Sequence, residues 1–165
     1  MDKSNLRPIL PSDNAIIARI IRATLVEYGA ARAGTVYYDE ATDRLSEVFD
    51  MPGSAYYIAE QDGTIVGGAG IYPTDGLGDG ICELVKMYLL PSARGIGLGK
   101  MLMNTCIDFA RKSGYKQIYL ETMPELKQAI GLYKKIGFQR LSAPLGSSGH
   151  FGCGIWMVKK IQGDL

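Results

Sequence analysis

The chain has 165 residues, 47% hydrophobic and 21% charged, a length and composition that suit one globular domain rather than a disordered segment. With 18 Lys and Arg against 17 Asp and Glu, the formal net charge is +1, so there is no bulk electrostatic case for nucleic acid or an anionic membrane.

The polar start, Met1-Asp2-Lys3-Ser4-Asn5, lacks the apolar core of a signal peptide, and no apolar run approaches the ~20 residues that span a bilayer. Residues 6–10 suit an edge strand, because Pro8 cannot donate to a ladder. Ser12 or Asp13 then caps a helix on which Ile16, Ile17, Ile20, Ile21, Thr24 and Leu25 form an apolar stripe, and Gly29 stops it. A weaker helix is expected over residues 39–49, carrying Leu45, Val48 and Phe49.

Residues 55–61 read as a strand, Asp62-Gly63 as a turn, and residues 64–72 as the return strand of a hairpin. Gly76, Gly78 and Gly80 mark a loose turn before a long apolar strand, residues 81–90, that ends at Pro91. A glycine loop opens the next helix, whose Leu98, Met101, Leu102, Thr105 and Phe109 are expected to share a face. A short strand over residues 117–121 leads to a helix over 124–136 with Leu126, Ala129, Ile130 and Tyr133 on one side. Lys134 and Lys135 oppose its dipole, and Gly137 followed by Phe138 suits its C-terminal turn. A Gly/Ser-rich loop, 143–152, precedes a last strand at 155–158.

This order predicts an α/β (α+β) structure with a mixed, mainly antiparallel sheet flanked by helices. With no repeat or dividing linker, residues 1–165 read as one domain. Cys82, Cys106 and Cys153 are odd in number and far apart, which suits reduced thiols in a cytoplasmic protein. His150 is the sole histidine and has no partner at zinc-ligand spacing, so no protein metal site is expected.

The glycine loop is Arg94-Gly95-Ile96-Gly97-Leu98-Gly99-Lys100. Between a strand and a helix, it can aim several backbone N–H groups at one point, and the helix N-terminus adds positive dipole. Glycines at 95, 97 and 99 let phosphate oxygens reach the backbone, while Arg94 and Lys100 add charge, so a diphosphate is the natural occupant. A Walker A loop is excluded, since Arg94 stands where its first glycine belongs and Met101 where its hydroxyl belongs. The dinucleotide fingerprint is excluded too, because the third glycine comes one residue early.

Arg94, Gly97 and Gly99 do fit Arg-x-x-Gly-x-Gly, which resembles the acetyl-CoA pyrophosphate loop of the GNAT superfamily of N-acetyltransferases. Leu132-Tyr133-Lys134-Lys135-Ile136-Gly137-Phe138 resembles that family's Leu-Tyr-x-x-x-Gly-Phe helix, and the element order agrees along essentially the whole chain. One position departs: Leu126 stands three residues before Ala129, where many members carry an asparagine that helps to bind the cofactor.

Acetyl transfer needs a neutral amine, whereas an alkyl ammonium with a pKa of ~10.4 is mostly protonated at neutral pH, so a base helps. Glu83 lies in an apolar run, where a carboxylate is costly unless used. Its position eleven residues before Arg94 is the spacing of the glutamate base in histone-type members. The plainer alternative is a rim carboxylate paired with Lys86 or another cation. By the same resemblance Tyr133 protonates the departing CoA thiolate, against the plainer alternative of an aromatic core residue. The Met87 backbone N–H would meet the carbonyl oxygen as it gains charge, and Leu89 would pair with the pantetheine arm.

The resemblance therefore implies acetyl-CoA as co-substrate, with Glu83 and Tyr133 catalytic and Met87, Leu89, Arg94, Gly95, Ile96, Gly97, Leu98, Gly99 and Lys100 cofactor-binding. Residues 29–38, with Arg32, Tyr37 and Tyr38, and residues 145–154, with His150 and Phe151, are expected to flank the acceptor. That acceptor is expected to be a small amine or amino-acid-like molecule, with a protein lysine or N-terminus second. A homodimer stays open. A non-catalytic acyl-CoA sensor is the main competing reading, and it would need neither Glu83 nor Tyr133.

Overall fold

The computed structural model describes residues 3–147 and 151–162. Seven strands form one sheet: β1 (Ser4–Pro8), β2 (Ala55–Gln61), β3 (Thr64–Tyr72), β4 (Ile81–Leu89), β5 (Gln117–Thr122), β6 (Gln139–Leu141) and β7 (Ile155–Lys160). Their spatial order is β1-β2-β3-β4-β5-β7-β6. Every neighbouring pair is antiparallel except β4 and β5. That parallel pair needs a crossover, supplied by α3 (Leu98–Lys112). The other helices are α1 (Asn14–Glu27), α2 (Leu45–Val48) and α4 (Lys127–Ile136), and none is long and apolar enough to cross a membrane.

The mixed sheet and the element order agree with the sequence reading, and β2 and β3 lie within the expected bounds. The pleat divides the core. Tyr56 and Ile58 of β2 pack with Ile17, Ile21 and Leu25 of α1, while Tyr57 and Ala59 pack with Leu102 and Cys106 of α3. Pro8 sits on the sheet's outer strand, where a missing donor costs nothing.

Four local expectations need correction. Residues 39–49 form no continuous helix, but a 3-10 segment at Glu40–Arg44 followed by the single turn of α2. The Asp13 carboxylate does not cap α1. It accepts hydrogen bonds from the Leu10 N–H at 2.8 Å and from the Arg7 guanidinium at 2.8 and 3.0 Å, tying β1 to the start of α1. Ile16 is exposed on α1, outside the buried stripe of Ile17, Ile20, Ile21, Thr24 and Leu25. On α3 the buried face is Leu98, Leu102, Met103, Cys106, Ile107 and Ala110, and Met101 is exposed. A helix between a sheet and solvent buries a stripe wider than one apolar repeat shows.

One irregularity in β4 matters for the site. The β3–β4 register runs Gly70↔Val85 and then Gly68↔Tyr88, so Lys86 and Met87 together oppose Ala69. This is a β-bulge, and Lys86 takes a left-handed φ of 51° within it. The Tyr56 hydroxyl donates to the Lys86 carbonyl at 2.8 Å, and the Lys86 ammonium donates to Asp39 Oδ2 at 3.1 Å. Pinned from both ends, the bulge bends β4, and the ladder to β5 stops after Ile81↔Gln117, Cys82↔Ile118 and Glu83↔Tyr119. From Leu84 to Leu89, β4 has no strand on its β5 side among the described residues.

Candidate active site

Where β4 and β5 part, a groove of about 450 Å³ opens. That size suits a small-molecule or cofactor site. Met87, Leu89, Arg94, Gly95, Gly97, Gly99 and Lys100 all line it, so most of the expected cofactor residues meet in one place. Ile96 points outward and is about half exposed, and the Leu98 side chain is in the core. What those two residues can offer the groove is backbone.

The start of α3 is built to present that backbone. Gly95 and Gly97 take left-handed φ values of 77° and 87°, which side chains resist, and Gly97 turns the chain into the helix. The first intrahelical acceptor is the Gly97 carbonyl, bonded by the Met101 N–H at 3.1 Å, so the N–H groups of Leu98, Gly99 and Lys100 take no bond within the helix. A Cβ on Gly99 would stand 3.2 Å from the Leu132 side chain and 3.6 Å from that of Met87, so this glycine keeps the groove open between β4 and α4.

Arg94 is engaged within the protein. Its Nε donates to the Leu89 carbonyl at 3.0 Å, its Nη atoms donate to the Glu27 carboxylate at 2.6 and 3.0 Å, and it lies over the Tyr28 ring. The loop is thus tied to the end of β4 and the end of α1, and part of the guanidinium charge is met by Glu27. Lys100 and Lys135 are the other cations on the groove.

A smaller cavity, about 40 Å³, adjoins this groove through the shared residues Met87, Tyr88 and Leu126. Glu83 and Tyr133, the two expected catalytic residues, both line it. Glu83 is 3% exposed, and its Oε1 accepts a hydrogen bond from the Thr74 hydroxyl at 2.6 Å. The Lys86 ammonium reaches Asp39 rather than Glu83. Tyr133 is buried against Phe138, and burial pushes its phenol well above the ordinary tyrosine range, so it stays protonated and able to donate.

Other residues at the sites were not found from the sequence. Thr24, Tyr28, Gln128 and Lys135 line the groove. Gln128, Leu132 and Lys135 follow a helical period of four and three, so the period of α4 carried a signal for them. Glu121, Thr122 and Cys153 line the small cavity and had no motif. Burial, and then the nearby Glu121 and Glu83 carboxylates, push the Cys153 thiol up to about 12, so it is a neutral, unreactive neighbour.

The two segments expected around the acceptor are joined to each other. The Gly152 N–H donates to the Gly34 carbonyl at 2.8 Å, and Arg32 donates to Glu125 Oε1 at 3.0 Å and to the Gly152 carbonyl at 3.3 Å. Tyr37 packs on the α1 side of the core, whereas Tyr38 is exposed. His150 lies outside the described residues.

The sequence profile of the Acetyltransferase (GNAT) family matches residues 20–138. The chain belongs to the GNAT acetyltransferase family. It is 43% identical over 157 residues to the Escherichia coli K12 protein called Uncharacterized N-acetyltransferase YjgM, covering 94% of each chain. In fold it resembles a GNAT acetyltransferase from Staphylococcus aureus, with a TM-score of 0.83 at 17% identity over 97% of this chain and 100% of the other. It also resembles the putative acetyltransferase yncA from Salmonella typhimurium, solved with its cofactor acetyl-CoA, with a TM-score of 0.74 at 23% identity over 99% and 96%. This GNAT chain is thus an acyltransferase of the N-acetyltransferase class, and the parted strands lie in a fold that its relatives share.

Proposed function

We propose that this GNAT enzyme moves the acetyl group of acetyl-CoA directly to a primary amine of a small or amino-acid-like acceptor. The observation that carries the reading is the end of the β4–β5 ladder at Glu83, with Glu83 and Tyr133 on one cavity that shares Met87, Tyr88 and Leu126 with the glycine-loop groove. Acetyl-CoA would lie along the groove, with its pyrophosphate on the start of α3 and its amide-bearing arm beside the open edge of β4.

In the transfer, the neutral amine attacks the thioester carbon, a C–N bond forms and the C–S bond breaks. Glu83, directly or through a water, takes the proton that the amine nitrogen loses. The Met87 backbone N–H meets the oxygen as it gains charge, and Tyr133 gives a proton to the departing sulfur. Two carboxylates, Glu83 and Glu121, border the small cavity, which favours an acceptor that approaches as a cation. The free thiols of Cys82, Cys106 and Cys153 suit work in a reducing cytoplasm.

The test is thiol release from acetyl-CoA with benzylamine, putrescine, L-lysine and glucosamine as acceptors. Amine-dependent release with N-acetylated product supports the reading. Acetyl-CoA binding without release would replace it with the sensor, and release only with peptides would move the acceptor to a protein.

A further inference from the structure

Thr122 is the last residue of β5 and is 4% exposed. Its Oγ1 is the single fully buried side-chain nitrogen or oxygen without a hydrogen-bond partner among the described residues. A buried hydroxyl with no hydrogen bond has lost its water without replacement, so such groups are uncommon in folded chains. The other buried threonines follow that rule. Thr24 donates to the Ile20 carbonyl at 2.8 Å, Thr35 to the Arg32 carbonyl at 2.6 Å, and Thr42 to the Val36 carbonyl at 3.1 Å. Valine has nearly the same shape and would fill the Thr122 position without that cost.

The place of this hydroxyl supplies a use for it. Thr122 lines the same small cavity as Glu83 and Tyr133. A volume of about 40 Å³ has room for an amino group and the carbon that bears it. A neutral primary amine aims its lone pair at the thioester carbon and carries two N–H groups. Glu83 can accept from one, and the second meets a wall of Leu84, Leu120 and Met123 on which Thr122 and Glu121, the latter already accepting from the Tyr119 hydroxyl at 2.7 Å, carry side-chain oxygens. Left without an acceptor there, it would lose a hydrogen bond that it had in water.

We propose that the Thr122 hydroxyl accepts the second N–H of the acceptor amine, so that Glu83 and Thr122 together orient the nitrogen and select primary over secondary amines. This rests on the amine-acetylation reading above. It assigns Thr122 to the acceptor rather than to acetyl-CoA, and to a hydrogen bond that forms only with substrate in place.

The experiment compares wild type, Thr122→Val and Thr122→Ser, with benzylamine and N-methylbenzylamine as acceptors and acetyl-CoA affinity measured separately. The expected result for Thr122→Val is a Tm equal to or above wild type and an acetyl-CoA Kd within about twofold. Its kcat/KM for benzylamine falls about tenfold, the scale of one hydrogen bond. The loss with N-methylbenzylamine is smaller, so the primary-to-secondary ratio narrows, and Thr122→Ser recovers most of the rate. Unchanged kcat/KM, a loss confined to acetyl-CoA affinity, or a lowered Tm with the amine ratio unmoved would each overturn the assignment. If the wild type itself acetylates neither amine, the acceptor reading fails first and takes this proposal with it.

Discussion

The Arg94 guanidinium donates two hydrogen bonds to the Glu27 carboxylate, joining the phosphate-type loop to the C-terminal end of α1. The cation is therefore already paired within the protein, and Arg94 in turn holds the Glu27 carboxyl below its usual range. Glu27→Gln should release that charge and tighten acetyl-CoA binding about two- to threefold at low salt, an effect that fades at high salt. Arg94→Ala should weaken binding about tenfold or more, on the scale of a charge-assisted contact. The pair is partly exposed, so neither change should cost more than about 1 kcal/mol of stability. Titration of both variants with acetyl-CoA at two salt concentrations checks this, and equal weakening would show that the pair only orders the loop.

The glycines of the loop should separate into two kinds. Gly97 has a left-handed φ of 87° with open space around its missing Cβ, so Gly97→Ala should lose about 1 kcal/mol through backbone strain. Gly99 has no such φ, and a helical Gly→Ala change ordinarily stabilises. Its new methyl would instead press on Leu132 and narrow the groove. Gly99→Ala should therefore keep or raise the Tm while weakening acetyl-CoA binding about tenfold, on the scale of a lost contact or a mild overpacking. Thermal unfolding and a binding titration on both variants distinguish the two.

Asp13 should govern the acid limb of stability. Its side-chain bonds to Arg7 hold the carboxyl below its usual range against the opposing effect of burial. A carboxyl lowered in this way stabilises the fold above the unfolded-state pKa of ~3.9 and loses that contribution as pH falls through the lower native value. Asp13→Asn should cost about 2–3 kcal/mol at pH 7, because Arg7 keeps its charge with one partner removed. The difference from wild type should shrink as the pH drops below about 4. Urea unfolding at pH 7 and pH 3 reads this out.

Tyr133→Phe should lower kcat about a hundredfold if the phenol protonates the leaving thiolate, with the acetyl-CoA KM and the Tm little changed. Burial raises this phenol above its ordinary pKa of ~10, so the wild-type rate should show no Tyr133-dependent fall on the alkaline side up to about pH 10. An alkaline limb near pH 9 that vanishes in Tyr133→Phe would contradict the assignment.

Much of this arrangement was legible in one sequence because local chemistry dominates there. The β2–β3 hairpin follows from its aromatic and β-branched runs around Asp62-Gly63, and the α4 terminus follows from Gly137, which takes a φ of 111°. The glycine loop is legible for the same reason. The apolar spacing of α3 marks too narrow a face, because burial under a sheet reaches beyond one apolar repeat. β6, three residues at the outer edge beside β7, carries too little pattern to stand out. The Arg94–Glu27 pair joins residues 67 positions apart, and the exposed role of each alone gives no hint of it. Thr122 is ordinary in a strand, and its hydroxyl becomes informative only once the parting of β4 from β5 shows what surrounds it.

If the wedge beside Glu83 performs acetyl transfer to an amine, Glu83→Gln should carry a pH-dependent loss of turnover. Loss of the base should lower kcat/KM for the amine about a hundredfold at pH 7, while acetyl-CoA affinity stays within about twofold. The deficit should narrow as the pH rises toward the ~10.4 of a free alkylamine, because the acceptor then arrives already neutral. A deficit that is absent, that does not change with pH, or that follows lost acetyl-CoA binding would mean that Glu83 is not the base.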